Sequence, residues 1–296
     1  MDRGIPEYLA QLRVELAESD PATIQDALSD AEEHLSTALA NALKAAPDLA
    51  RSDLLESIVK KYGTPAEIAA AYKDIEAHTR PVLEIARSGV RRSRTSSFYG
   101  VVGDARAWGS LMYLLVSMLL GLAYFSWAVI GFSLSLELLI LVIGLPVATL
   151  FLQSVRGIGL VEGRIVEALL GVRMPRQPLV SHRELGWWKR LKMLVKDKRT
   201  WTTLAYMVLL LPLGILYFTI AILMFALSLE FIAGPIVLNA LDLPFIMIGH
   251  YSIYLSLEWA PLLMFAGILI LMVSMHVAKF LGRMHARLAR AMLIRR

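Results

Sequence analysis

The sequence predicts an all-α, polytopic membrane protein: four transmembrane helices in two parallel repeats, preceded by a small cytoplasmic N-terminal helical bundle. Three observations carry this fold class. The first is composition: of 296 residues, 57% are hydrophobic and 19% charged, with a mean hydropathy of +0.58, whereas soluble domains run near 45–50% apolar and about 25% charged. The second is the segregation of charge. Residues 1–76 hold 15 acids and 7 bases, a balance of −8, while residues 77–296 hold 10 acids and 23 bases, a balance of +13. A single soluble globule is therefore excluded, and the pI near 9.4 averages an acidic head with a basic body rather than marking a nucleic-acid binder. The third is an internal repeat, set out below.

Residues 1–78 form the predicted head. Asp20-Pro21 reads as an N-cap followed by Pro at the first helical position, ahead of Ile24, Ala27, Leu28, Ala31 and Leu35 at helical spacing. Gly63 stops a helix over 49–62, and Thr64-Pro65-Ala66-Glu67 opens the next as a capping box. Three or four short helices packed as an acidic bundle are expected. The opening MDRGIPEYLAQL is polar and helical, so no signal peptide is expected. Residues 79–106 follow as a basic, Ser-rich juxtamembrane linker suited to anionic headgroups.

The membrane part is read from charge-free windows: 107–136, 138–155, 200–229 and 259–278. A helix needs roughly 20 apolar residues to cross a bilayer core. That places spans at about 109–132, 136–155, 203–227 and 257–278. The apolar stretch 231–256 is broken by Gly234, Pro235, Asn239, Asp242, Pro244 and Gly249, and is expected to be an interfacial or re-entrant excursion. Every Lys and Arg falls in 1–106, 156–199 or 279–296, so the positive-inside rule puts both termini in the cytoplasm.

A shift of 93 positions superposes Asp104, Arg106, Trp108, Leu111, Tyr113, Gly121, Tyr124 and Phe125 on Asp197, Arg199, Trp201, Leu204, Tyr206, Gly214, Tyr217 and Phe218. Past Leu-Ser-Leu-Glu, the shift becomes 123: Gly144, Gly159, Arg164 and Arg173 meet Gly267, Gly282, Arg287 and Arg296. The roughly 30 extra residues of the second copy are the stretch 231–256. The domain plan is then repeat 1 over 107–175, an interfacial basic helix within 176–199, and repeat 2 over 200–296 with the insertion 231–256. Two spans per copy give both copies the same orientation, related by a pseudo-two-fold along the membrane normal.

Each copy is expected to end in a separate amphipathic helix, at 157–172 and 279–295. In the helix at 183–196, Leu185, Trp188, Leu191 and Val195 form one stripe, flanked by Lys189, Arg190, Lys192 and Lys196. With Trp187, that is the pattern of a helix lying among anionic headgroups.

No catalytic constellation is visible: GxxxxGK[ST], HExxH and GxSxG are all absent. There are no cysteines, and His34, His78, His182, His250, His276 and His285 are scattered without metal-ligand spacing, so no metal or cofactor is expected. Glu137, Glu230 and Glu258 fall at the outer ends of predicted spans. They read either as solvated boundary residues or, with Asp242 and His250, as an outward-facing ligand or proton site. Asp104, Arg106, Trp108, Asp197, Arg199 and Trp201, with Arg164 and Arg287, read as interface anchors. The sharper alternative is that each Asp or Arg pairs with the other copy and couples the spans to the cytoplasmic helices.

The stretch from Phe98-Tyr99 to Pro178 resembles a sensor domain family of bacterial and archaeal membrane proteins. The resemblance rests on Trp108, Tyr113, Gly144-Leu-Pro146, Glu162-Gly-Arg164 and Leu170-Gly171, and it continues through the second copy. It implies four spanning helices and a sensing role without an assigned ligand. The head resembles the HAAS domains at Tyr8-Leu9, Leu12, Asp30-Ala-Glu32-Glu33-His34, and Tyr62-Gly63-Thr64-Pro65-Ala66-Glu67-Ile68-Ala69 with Tyr72. This resemblance implies a partner-binding head using Tyr8, Glu32, Glu33, Tyr62, Gly63, Pro65 and Tyr72, and a cytoplasmic regulator as partner, a PadR-like transcription factor or a histidine kinase. No output module follows Arg296, so signalling is expected to pass to another protein. The expected function is a membrane sensor or adaptor detecting a lipid, an amphiphile or membrane state, with no direct nucleic-acid contact and a homodimer left open. The acidic head is expected to contact either the chain's own basic segments or a partner. An accessory subunit of an exporter or lipid-handling complex is the alternative, ahead of a lipid-headgroup enzyme.

Overall fold

The computed structural model describes residues 4–47, 49–78, 100–140, 144–175, 187–244, 246–248, 250–253 and 256–294. Residues 79–99 of the basic linker expected at 79–106 lie outside them. The helices are α1 (Gly4–Glu15), α2 (Pro21–Ala45), α3 (Arg51–Tyr62), α4 (Pro65–His78), α5 (Ala105–Leu139), α6 (Gly144–Leu170), α7 (Trp187–Lys196), α8 (Lys198–Ala240) and α9 (Ala260–Leu293).

The first four helices form the expected bundle. Tyr8, Leu12 and Leu16, then Ala27, Ala31, Leu35 and Leu39, then Leu54 and Ala69 make its buried core. The i, i+4 spacing of these residues on α1 and α2 puts each set on one face, and burying each Leu contributes about 2 kcal/mol. Local chemistry sets the ends. The Asp20 carboxylate caps α2 by accepting from the Ala22 amide at 2.9 Å, with Pro21 at the first helical position. Gly63 ends α3 at φ +117°, a conformation in which an L side chain is strained. The capping box forms as expected: the Thr64 amide donates to Glu67 Oε2 at 2.8 Å, and the Glu67 amide to Thr64 Oγ1 at 3.3 Å. Those hydrogen bonds hold the exposed Glu67 carboxyl below its ordinary value.

Among the described residues, four helices are long and apolar enough to cross a membrane: α5, α6, α8 and α9. All four outrun their charge-free windows, α5 by only two or three residues at each end. α6 runs unbroken from Gly144 to Leu170, joining the second expected span to the amphipathic helix expected at 157–172. α9 likewise joins its span to the basic tail, continuing to Leu293. α8 passes through Pro212, Glu230 and Pro235 to Ala240, a length of 43 residues or about 65 Å at 1.5 Å per residue. The break expected at Gly234-Pro235 is therefore absent. A backbone with no water to bond keeps its internal hydrogen bonds, and one missing donor at a proline does not stop it. What remains of the insertion turns at Asp242, with φ +50°, and forms a two-stranded antiparallel ribbon, β1 (Ile246–Ile248) with β2 (Tyr251–Ile253). In its register, Ile246 faces Ile253 and Ile248 faces Tyr251. A 3₁₀ turn over Leu257–Trp259 then leads into α9.

The chain groups into two compact units. One holds residues 1–86, 128–206 and 288–296; the other holds 87–127 and 207–287. In the second unit, α5 and α8 approach backbone to backbone. A Cβ on Gly121 would lie 2.7 Å from the Leu210 carbonyl oxygen, and one on Gly214 would lie 2.5 Å from that of Ser117. Gly121 and Gly214 are equivalent in the repeat, as are Ser117 and Leu210, so the crossing is reciprocal. Two small residues facing each other are what allow helices to close without a hydrophobic driving force in lipid.

Candidate functional site

Each copy opens with Asp-x-Arg-x-Trp, and the local geometry is the same in both. Asp104 Oδ1 accepts from the Arg106 amide at 3.0 Å, and Asp197 Oδ1 from the Arg199 amide at 3.0 Å, which caps the first turns of α5 and α8. The Trp108 indole donates to the Val102 carbonyl at 2.6 Å, and that of Trp201 to the Val195 carbonyl at 2.8 Å. The two rings stay 46% and 45% exposed, as tryptophans at a membrane–water interface do.

The second carboxylate oxygen of each aspartate reaches a distant base. Asp104 Oδ2 is paired with Lys279 on α9. Asp197 Oδ2 accepts from Arg156 Nη2 on α6 at 2.5 Å, and Arg156 also donates to Thr200 Oγ1 from Nε at 3.2 Å and from Nη2 at 3.1 Å. Arg156 and Lys279 are 123 positions apart, the shift that relates the second helices of the two copies. The two pairs are thus one interaction made twice, and each joins the first helix of one copy to the second helix of the other. At Asp104, burial pushes the carboxyl up. The hydrogen bonds from Lys279 and the Arg106 amide, with the charges of Lys279 and Arg106, outweigh this and hold it below its ordinary value.

Nine residues beyond each aspartate the pattern recurs with different chemistry. Tyr206, 1% exposed, donates its hydroxyl to Oε1 of Glu162, also 1% exposed, at 2.8 Å. Tyr113, fully buried, has its hydroxyl 2.5 Å from Nε2 of fully buried His285. The Tyr217 ring meets His285 edge-on at 5.6 Å between centroids. Glu162 and His285 are again 123 positions apart, so the same site carries a carboxyl in one copy and an imidazole in the other. Buried polar groups are tolerated only when hydrogen-bonded, and here the tyrosine of the opposite copy provides the bond. Each unit contains one complete set: Arg156–Asp197 and Glu162–Tyr206 in the first, Asp104–Lys279 and Tyr113–His285 in the second.

The remaining sequence candidates are dispersed. Glu137 is exposed in the last turn of α5, and Glu230 is exposed in α8, where its Oε1 would lie 3.1 Å from a Cβ on Gly234. Glu258 lies in the 3₁₀ turn, Asp242 in the turn after α8 and His250 between the strands, all exposed. No hydrogen bond or ion pair joins Glu230, Asp242, His250 and Glu258 among the described residues, and no group of three His, Cys, Asp or Glu there could hold a metal ion. Among the described residues, Arg164 makes only a long ion pair with Glu167, at 3.9 Å, and Arg287 is exposed.

On α7, Leu194 is buried while Trp188, Lys189, Lys192 and Val195 are exposed and Arg190 is half-buried. Of the expected stripe, Trp188 and Val195 are thus exposed on the protein and Leu191 is half-buried. Trp187 begins the helix, but its side chain lies outside the described residues, as does Leu185.

In the head, the aromatic residues of the HAAS-like pattern converge. Tyr62 and Tyr72 both donate to Asp30 Oδ2, at 3.5 and 3.1 Å, and Tyr8 donates to the Gly63 carbonyl at 2.8 Å. His34 stacks on Tyr62 at 4.5 Å. Burial, then the Asp30 charge, push the Tyr62 and Tyr72 hydroxyls well up. Glu33 is exposed and Glu32 half-buried. Tyr8 and Pro65 also line a groove of about 510 Å³, with Glu7, Gln11, Arg51 and Leu55.

Sequence reasoning named the aspartates and placed both tyrosines in the repeat, but missed Arg156, Lys279, Glu162 and His285 as their partners. The signal was present: applying the 123-position shift to every polar residue of α6 brings Arg156 onto Lys279 and Glu162 onto His285.

Comparison with known families gives two matches. The model described as Putative sensor matches residues 113–293, and the HAAS model matches residues 7–71. No curated protein and no solved structure matches the chain.

Proposed function

This chain belongs to the Putative sensor family, with a HAAS domain at its head, and from that membership we propose how it senses and to what it signals. Its role is signalling by a multi-pass membrane protein. The stimulus in our reading is a lipid, an amphiphile or a change of membrane state, taken up by the four spanning helices. The output is a cytoplasmic regulator of the PadR-like class or a histidine kinase, engaged by the head. The basic ends of the spans face the cytoplasm, as the positive-inside rule requires.

One observation carries this reading: the crosswise ion pairs. Asp104–Lys279 and Asp197–Arg156 each tie the start of one copy to the far helix of the other, and both are partly exposed, at 21–30% of their side-chain surface. Partly exposed pairs are worth little individually, so a small differential affinity of a ligand for one packing of the copies shifts the balance between two packings. In this reading the exposed basic face of α7 and the half-exposed Trp108 and Trp201 meet lipid headgroups, whose composition acts on those pairs.

The test is mild-detergent affinity purification from the native host, with mass spectrometry of bound proteins and lipids. Recovery of a DNA-binding regulator or kinase, lost when residues 1–78 are deleted, is the expected result. Recovery of transport subunits, held equally by the deletion, would overturn it in favour of an exporter accessory.

A further inference from the structure

We propose that one face of α2 is a docking surface for the final turn of α9, and that the Asp20–Arg290 pair holds head and tail together reversibly. The dock goes beyond the sensing reading and does not depend on the identity of the stimulus or the partner.

The argument begins with helical geometry. At 100° per residue, Ala27, Ala31, Leu35 and Leu39 lie on the face of α2 that packs into the head's own core. Ala22 and Ser29 lie on the opposite side, well round from that row, yet they are 0% and 1% exposed. The cover is short. It spans about two turns, and by Glu33 the same face is open to solvent. Something other than the core of the head covers the start of α2.

Arg290 identifies the cover. Its guanidinium is paired with Asp20 Oδ2 at the very end of α2 where the polar face begins. Around it at the end of α9, Ala289, Leu293 and Ile294 are 0%, 3% and 6% exposed. Asp20 is itself held firmly in place. Its Oδ1 caps α2, and its amide donates to Glu76 Oε1 at 3.0 Å, which ties the start of α2 to the end of α4. The charge balance agrees, since the head is acidic and residues 279–296 carry six bases.

The composition of the surface makes the dock releasable. Obligate interfaces are apolar, whereas this one presents Ser29 Oγ, buried and without a hydrogen-bond partner among the described residues. Water satisfies that hydroxyl once the surfaces part, so separation recovers a hydrogen bond rather than losing one. The ion pair is 36% and 23% exposed and is weakened by salt.

The chain has no cysteine, so two introduced thiols can be spin-labelled without background. Labels at Ser19→Cys and Ala291→Cys, in the full-length protein in lipid nanodiscs, report the distance across the dock by pulsed electron paramagnetic resonance. Asp20→Asn keeps a good N-cap while removing the charge, and Arg290→Gln removes the partner; circular dichroism confirms that the head stays helical. Each single variant should lower the ratio of short-distance to long-distance populations about two- to five-fold, the range of a partly exposed ion pair. The double variant should fall no further than either single, because both remove one contact. Raising salt should open the unsubstituted protein and leave Asp20→Asn unmoved. An unchanged distance in both single variants, or fully additive losses in the double, would overturn the proposal. So would a short distance insensitive to salt.

Discussion

Asp104 and Lys279 stand 175 positions apart, in different copies of the repeat, and form an ion pair; Asp197 and Arg156 repeat it in the other direction. The two bases are not equal. Arg156 serves three hydrogen bonds, to Asp197 and Thr200, from a planar fork, whereas Lys279 is a point charge on Asp104.

Arg156→Gln should therefore cost more than Lys279→Gln: about 1–3 kcal/mol for the charged hydrogen bonds lost, against about 0–1 kcal/mol for a partly exposed pair. Thermal unfolding in detergent, followed by tryptophan fluorescence, orders the two. The opposite order would mean that the forked contact contributes less than its geometry implies.

Gly121→Ala and Gly214→Ala should each destabilise by about 1–3 kcal/mol, because the new methyl meets backbone atoms that cannot rotate away. Gly157, on α6, is the matched control. Nothing lies within 4 Å of a Cβ there, so Gly157→Ala should be neutral or stabilise by up to about 1 kcal/mol through helix propensity. The same unfolding assay separates the three.

Tyr206→Phe removes the donor to buried Glu162 and should cost about 1–3 kcal/mol. Tyr206→Phe with Glu162→Gln should show clear non-additivity, since the two side chains share one hydrogen bond. Strict additivity in the unfolding free energies would count against the contact.

The head should weaken in alkali. Tyr62 and Tyr72 have pKa values raised above the ordinary 10.0 by burial and by Asp30. A raised folded-state pKa gives stability that is complete below the unfolded value and declines as pH climbs above it. Head stability should be flat from neutrality to about pH 9 and fall beyond pH 10. Tyr72→Phe should flatten that fall while lowering stability at neutral pH. Helix content by circular dichroism against pH reads both effects, and an unchanged alkaline slope in the variant would remove Tyr72 from the account.

Much of the head was legible because its signals are local. The Asp20 cap, the Thr64–Glu67 box and the Gly63 stop each depend on residues within four positions, and all three stand in the structure. The tyrosines were legible as a pattern but not as a cluster. Tyr62 and Tyr72 meet on Asp30 only because α2, α3 and α4 pack together, over separations of 32 and 42 residues. Helix ends in the membrane part were misjudged for a related reason. Charge marks where a chain leaves the apolar layer, not where its backbone stops being helical, so α6 and α9 continue well past the first arginine or lysine.

By itself the sequence determined the four apolar spans, the acidic bundle ahead of them, and the two-fold repetition of Asp, Tyr and Gly at matched positions. These follow from composition and short-range hydrogen bonding, which any fold of the chain would respect. It did not determine which copy each aspartate serves. Because Arg156 and Lys279 are equivalent in the repeat, Asp104 could satisfy its charge on either, and the same holds for Tyr113 with Glu162 or His285. Two chemically matched partners leave local physics indifferent between pairing within a copy and pairing across copies. Only the tertiary structure, by crossing α5 and α8 at Gly121 and Gly214, selected the crosswise arrangement.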